Sequence, residues 1–156
     1  MTQPAKKPAD KPAVNPAGKS ASGSTRTPVR ELSETQCWKL LSEAHVGTLA
    51  LVTAEGPDLY PIDFLATAHT IVFRSAPGEK LRQLTADPRV ALAVEGGDQK
   101  TWWSVIVHGT ARRLAADDEI EATGVLALET SFGGTKANFV RITPARITGR
   151  RFTPRA

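Results

Sequence analysis

The sequence predicts a mainly β protein, an antiparallel β-barrel with a few helices filling its gaps. Six or seven short segments are rich in β-branched and aromatic residues, the residue types that strands favour. Most of these segments follow one another through short turns, which predicts hairpins. Only two or three segments show the spacing of an amphipathic helix. Short strands joined mostly by hairpins, with few helices between them, are typical of antiparallel barrels.

The N-terminal part of the chain differs in composition from the rest. Residues 1–28 are dominated by Pro, Ala, Lys, Ser and Gly, and apart from Met1 their only sizeable apolar side chain is Val14. Such a segment buries too little apolar surface to offset the entropy lost on ordering. We therefore expect a disordered basic tail over residues 1–28 and one folded domain over residues 29–156.

The first predicted element after the tail is a helix. Ser33 is a favourable N-cap, and Gln36 lies three residues later, as in a capping box. An apolar stripe then continues to Ala44, where we expect the helix to end. The segments Val46–Thr53 and Leu59–Ala66 follow as a predicted hairpin around a turn that contains Gly and Pro.

The stretch that follows combines a strand, a turn and a helix. Ile71–Arg74 is predicted as a strand, the chain breaks at Pro77-Gly78, and the helical spacing of Leu81 and Leu84 predicts a helix over Pro77–Ala86.

Four elements are predicted after this helix. Val90–Glu95 and the long segment Trp102–Leu114 are predicted strands. Asp117–Thr130 is predicted as a helix, because acidic residues occupy its first turn. Phe139–Ile142 and Arg146–Gly149 are predicted as two short strands that close the domain.

Polar residues gather at the turn between the predicted strand and the Pro77–Ala86 helix. They are Arg74, Ser75, Gly78 and Lys80. A hydroxyl, a flexible backbone and a cation at a helix start are what a phosphate group needs, because the first-turn N–H groups are unpaired and the helix dipole favours an anion. The alternative is a plain strand–turn–helix connection with a surface lysine. This turn lacks the glycine spacing of a P-loop.

Two other segments offer groups for a ligand. Asp63 lies between Ile62 and Phe64 in a strand that should run beside Ile71–Arg74. Trp103 and Ser104 supply an aromatic face and a hydroxyl at the start of a later strand. The alternatives are an ordinary outward-facing acid for Asp63 and an aromatic pair in a core or dimer interface for Trp103 and its neighbour.

Composition and spacing exclude several other classes of site and partner. The three histidines are far apart, with no metal-ligand spacing, so no metal site is expected. The single cysteine, Cys37, fits a reducing compartment and is expected to be a buried thiol. No glycine elbow surrounds Ser104, which argues against a serine hydrolase.

Charge and hydropathy bear on partners and location. Residues 1–30 hold six basic residues and one acid, a net charge of +5, which leaves −1 for residues 31–156 out of the total of +4. The folded domain is therefore not expected to bind nucleic acid. No apolar run approaches a membrane span, and we expect a cytoplasmic protein without a membrane partner.

Taken together, these segments resemble the pyridoxamine 5′-phosphate oxidase-like flavoproteins, which have the FMN-binding split-barrel fold. The resemblance covers roughly Leu32–Phe152. It rests on four segments in the family's order and spacing: His45–Ala50, Tyr60–Phe64, Phe73–Lys80 and Trp103–Val105.

The resemblance implies a homodimer with FMN bound between the subunits. Lys80 matches the lysine that holds the FMN phosphate, with Arg74 and Ser75 alongside. Ile62, Asp63 and Phe64 match the strand whose backbone lines the isoalloxazine ring. Trp103 and Ser104 match the segment that approaches the flavin from the partner subunit. The implied activity is that of an oxidoreductase acting on an unidentified small molecule, and no residue stands out as a general acid or base.

The sequence also departs from the vitamin-salvage oxidase of that family. It has Glu79-Lys80 where that enzyme has an Arg-Lys pair, and it lacks the C-terminal substrate motif built around a Trp. The closer resemblance is to smaller relatives, some associated with nitroimidazole reduction. A deazaflavin-dependent reductase and a non-catalytic flavin- or haem-binding module are the alternatives.

Overall fold

The structure, a computed structural model, describes residues 28–128 and 138–153 of the 156-residue chain. The predicted tail lies outside the described residues except for Pro28, so its disorder remains a prediction.

Seven strands form one antiparallel sheet in the described part of the chain. The sheet order is β1-β7-β4-β3-β2-β5-β6, and β6 also pairs with β7, so β2 to β7 close into a ring. This confirms the predicted antiparallel barrel. The strands are β1 (Arg30–Leu32), β2 (Val46–Thr53), β3 (Gly56–Thr67), β4 (Thr70–Ser75), β5 (Arg89–Gly97), β6 (Trp102–Leu114) and β7 (Asn138–Phe152).

Three α-helices accompany the barrel in the described residues: α1 (Glu34–Glu43), α2 (Glu79–Ala86) and α3 (Asp117–Ala122), the last followed by a 3₁₀ turn at Val125–Ala127. The predicted capping box of α1 is confirmed. The Gln36 N–H donates to Ser33 Oγ at 3.3 Å, and the Ser33 N–H donates to Gln36 Oε1 at 2.9 Å. None of these helices is long and apolar enough to cross a bilayer.

The main core fills the inside of the barrel. Phe64 on β3 and Phe73 on β4 are paired across the two strands, and both are fully buried. The helix α1 adds Cys37 and Leu41 to this core, and α2 adds Leu84. Burial raises the pKa of the Cys37 thiol, which therefore stays protonated at neutral pH.

A second apolar cluster lies on the outer side of the sheet, at β4 and the end of β6. Val72, Leu114 and Val125 form it, and the 3₁₀ turn that follows α3 therefore covers this part of the sheet. Glu119 on α3 forms ion pairs with Arg112 and Arg141, the latter with 3.0 Å between Nη1 and Oε1. The hydrogen bond from Arg112 is the main reason that the pKa of Glu119 is lowered.

The prediction of a helix over Asp117–Thr130 was wrong about its length, because the observed helix α3 is shorter. α3 ends at Ala122, where Thr123 turns its hydroxyl back to donate to the Ile120 carbonyl at 2.6 Å. Acidic residues in a first turn indicate where a helix starts, but they say nothing about where it ends.

The two predicted closing strands are one strand. β7 continues through Thr143 and Pro144. A β-bulge in its pairing with β6 accommodates the proline, which cannot donate a hydrogen bond to the ladder. Gly109 faces Pro144 there, and a Cβ at Gly109 would overlap the Thr143 carbonyl, so this close approach requires glycine. β1 was not predicted at all, since three residues are too few to show a period.

Candidate functional site

The connection between β4 and α2 is built around Gly78. Its φ of +148° is a conformation that favours glycine, and it is the N-cap of α2. The first hydrogen bond of the helix runs from the Arg82 N–H to the Gly78 carbonyl at 3.2 Å. The N–H groups before Arg82 have no acceptor within the helix, and Gly78 has no side chain to cap them. The start of α2 therefore presents hydrogen-bond donors.

Lys80, in the first turn of α2, points towards β3. Its Nζ lies 5.1 Å from the ring centroid of Tyr60, a cation–π distance. The Tyr60 hydroxyl donates to Gln83 Oε1 at 3.1 Å, and Gln83 Nε2 donates to Asp58 Oδ2 at 2.9 Å. Gln83 is one helical turn after Lys80, so these bonds hold the Lys80 side of α2 against β3.

The end of β4 contributes Arg74 and Ser75. The Arg74 guanidinium carbon lies 5.5 Å from the centroid of the Phe139 ring, on the outer side of the sheet. Ser75 is 3% exposed, its hydroxyl donates to the Ala76 carbonyl at 3.1 Å, and its own carbonyl accepts from Asn138 Nδ2 at 3.4 Å. The Ser75 hydroxyl can donate to a ligand only if it gives up its bond to the Ala76 carbonyl. The Arg74 guanidinium has several N–H donors and can contact an anion directly.

The β3 segment Ile62–Phe64 is buried throughout. Ile62 and Phe64 lie in the barrel core, and strand alternation places Asp63 on the other side, where it is only 4% exposed. The Phe64 N–H donates to the His45 carbonyl at 2.8 Å. Asp63 therefore faces outward, as the alternative has it, but it is buried.

Trp103 and Ser104 lie elsewhere, at the start of β6. Both are half-buried, and Trp103 is paired with Gly96 on β5, beside which its indole lies. In the ring of six strands, β6 is three strands from β3 in either direction. The structure thus places Gly78 and Lys80 at the start of α2 next to β3, while Arg74 and Ser75 at the end of β4 contact β7. It places Trp103 and Ser104 on the opposite strand of the same chain.

Sequence reasoning missed three residues of this corner: Tyr60, Gln83 and Asn138. The spacing of Gln83 from Lys80 placed both on one side of α2, and this signal could have found Gln83. Asn138 carried no local signal, because its contact with Ser75 spans 63 residues.

The described residues contain no group of three or more His, Cys, Asp or Glu side chains that could hold a metal ion.

The chain is similar to proteins of known structure along most of its length. It is 31% identical to a Corynebacterium glutamicum protein provisionally named a pyridoxamine 5′-phosphate oxidase, with a TM-score of 0.73, covering 81% of this chain and 100% of that one. It is also 31% identical to an FAD-binding protein from Mycobacterium smegmatis, with a TM-score of 0.66 and coverage of 80% and 98%. These similarities confirm the predicted split-barrel fold.

A curated relative matches over a shorter stretch. The chain is 27% identical over 89 residues to an uncharacterized protein of Rhizobium meliloti. The match spans 56% of this chain and 59% of the length of that protein.

The family itself is settled by a match over most of the described domain. The family model described as pyridoxamine 5′-phosphate oxidase matches residues 33–151, which include β2 to β6, all but the last residue of β7, all three described helices and the corner around Lys80. This chain therefore belongs to the pyridoxamine 5′-phosphate oxidase family.

Proposed function

We propose that this protein binds FMN between two copies of the chain and acts as an oxidoreductase on a small molecule. The observation that carries this proposal is the corner between β3, β4 and α2, where Lys80 lies beside β3 at an uncapped helix start that follows Arg74 closely in the chain. Such a corner suits a phosphate ester attached to a larger group that extends along the neighbouring strand.

The residues of this corner fit a phosphate. A Cβ built on Gly78 would meet no atom within 4 Å, so the space in front of the helix start is open. In our proposal the Lys80 ammonium and the first-turn N–H groups of α2 hold the phosphate, and Arg74 adds a second cation. Lys80 would leave its position over the Tyr60 ring, or share it, when it pairs with the anion.

The rest of the ligand would lie along β3 and be covered by a second copy. The backbone of Ile62–Phe64 would line one side of the isoalloxazine ring. Trp103 and Ser104 lie across the barrel from this strand, so those of the partner subunit would supply the other side. The M. smegmatis relative is described as FAD-binding, and FAD contains the same ring and ribityl phosphate as FMN, which supports a flavin here.

A bound flavin supplies the chemistry of two-electron or hydride transfer. The chain's own residues would bind and orient it, and burial between two subunits would keep water from the ring. No residue of the corner is assigned as a general acid or base, and the substrate is a small molecule of unidentified structure.

The cofactor proposal is tested on the purified full-length protein. We expect a yellow protein whose heat-released cofactor co-elutes with FMN. FAD alone in the supernatant would contradict the choice of FMN while keeping a flavin. A Soret band would indicate haem, and a colourless protein that binds only added deazaflavin would favour the deazaflavin-dependent reductase. Flavin bound without turnover of any electron acceptor would favour a non-catalytic module.

The dimer proposal rests on exposed apolar surface as well as on the divided site. Val46, Val52 and Leu59 on the β2–β3 hairpin are large and exposed, and so is Trp102, beside Trp103. We expect light scattering at micromolar concentration to report about twice the chain mass of 16.7 kDa. A protein that carries FMN stoichiometrically while it remains a monomer would show that the site does not need a second copy.

A further inference from the structure

A cleft runs between α2 and the strands β6 and β7, on the other side of α2 from Lys80. It consists of a cavity of about 650 Å³ and an adjoining one of about 320 Å³. Leu81, Thr85 and Arg113 line both cavities. Lys80 lines neither, since it contacts Tyr60 on β3. The cleft meets the corner proposed to hold the flavin phosphate at Gly78 and Asn138, and it extends from there along the side of α2 that Lys80 does not face.

The charges around this cleft are all of one sign. The described residues that line the two cavities include three arginines and no acidic residue. Arg82 is paired with Glu79 at 2.5 Å, and Arg112 is paired with Glu119. The Arg113 side chain makes no hydrogen bond or ion pair with any residue of the described ranges. The cleft thus offers one uncompensated guanidinium, the group best suited to a carboxylate or sulfonate.

The walls of the cleft are mostly apolar. Leu81 and Leu84 come from α2, and Ala111 and Val140 come from the facing strands. Asn138, at the end nearer Gly78, is buried and already donates to the Ser75 carbonyl. An apolar cleft with one guanidinium at its wall suits a ligand that has an apolar body and one anionic group.

We infer that the cleft between α2 and β6–β7 binds a small organic anion with an aromatic or aliphatic body, with Arg113 pairing with its anionic group. The contact with Arg113 would not involve Lys80, because Lys80 faces β3 on the opposite side of α2. An exposed arginine with no ligand is the alternative, and it predicts that nothing binds in the cleft.

The inference is tested with two fluorescent probes that differ in charge. The first is 8-anilinonaphthalene-1-sulfonate, and the second is N-phenyl-1-naphthylamine, which has the same apolar body without the sulfonate. Both are titrated against the full-length protein and three variants. Arg113→Gln removes the proposed partner of the anion, Thr85→Phe fills the cleft, and Lys39→Gln removes one positive charge from the exposed side of α1 as a matched control.

We expect the wild-type protein to bind both probes. Arg113→Gln should weaken binding of the sulfonate by about five- to tenfold, as the loss of a partly exposed charge-assisted contact does, and change binding of the neutral probe by less than about twofold. Thr85→Phe should weaken binding of both probes, and Lys39→Gln should leave the binding of both unchanged. The inference is overturned if the wild-type protein does not bind the sulfonate probe. It is also overturned if Arg113→Gln leaves binding of the sulfonate probe unchanged, or weakens binding of both probes equally. An effect of Lys39→Gln equal to that of Arg113→Gln would overturn it as well.

Discussion

Replacing Lys80 by alanine is expected to weaken FMN binding by about 10- to 150-fold, the range that corresponds to one hydrogen bond to a charged group at roughly 1.5–3 kcal/mol. The reason is that Lys80 lies in the first turn of α2, where its ammonium and the helix N–H groups would share one phosphate. Riboflavin has no phosphate, so its affinity should hardly change. Titration of wild type and variant with both ligands measures the two effects.

The matched control is Lys39→Ala, which removes an exposed lysine from α1. It should leave the affinity for both ligands unchanged. Equal losses for FMN and riboflavin in Lys80→Ala would point to a damaged fold, and an unchanged FMN affinity would place the phosphate elsewhere.

Replacing Phe73 by alanine is expected to lower the free energy of unfolding by about 3–5 kcal/mol. Phe73 is fully buried and lies opposite Phe64 in the barrel core, so the truncation leaves a cavity that the paired strands cannot close. Domains of this kind have roughly 5–15 kcal/mol of stability in total, so the variant should be close to unfolding. Denaturant unfolding followed by tryptophan fluorescence measures the change.

Leu126→Ala is the control for this truncation. Leu126 is 54% exposed, so the same kind of change should cost less than about 1 kcal/mol. A loss at Phe73 as small as the loss at Leu126 would mean that the barrel core is not packed around the Phe64–Phe73 pair.

Local signals in the sequence predicted the parts of the fold that local chemistry determines. The capping box of Ser33 and Gln36 placed the start of α1, and the β-branched run Val46–Thr53 gave the bounds of β2 as observed. The turn at Pro77-Gly78 placed the start of α2 within two residues, because glycine marks a backbone conformation that other residues avoid.

Contacts between segments that are distant in the sequence could not be predicted from local signals. Pro144 predicted a break, but the bulge that carries β7 past it depends on Gly109 in another strand. The side of α2 that faces β3 depends on Tyr60 and Gln83, which meet only after the barrel forms. The same holds for the proposed site. The sequence marked Trp103 and Ser104 as candidates, but it did not show that their strand, β6, lies across the barrel from β3.

The closure of the barrel by β7 has a consequence during synthesis of the chain. β7 is made after the other six described strands, and its 15 residues pair with β1, β4 and β6. Until β7 leaves the ribosome, one edge of β4 and one edge of β6 stay without a partner, and open edges invite pairing with other chains. The first residue of β7, Asn138, must also find Ser75, 63 residues earlier, and such long-range closure slows folding. The nascent protein is therefore most prone to aggregate just before its last described strand is added.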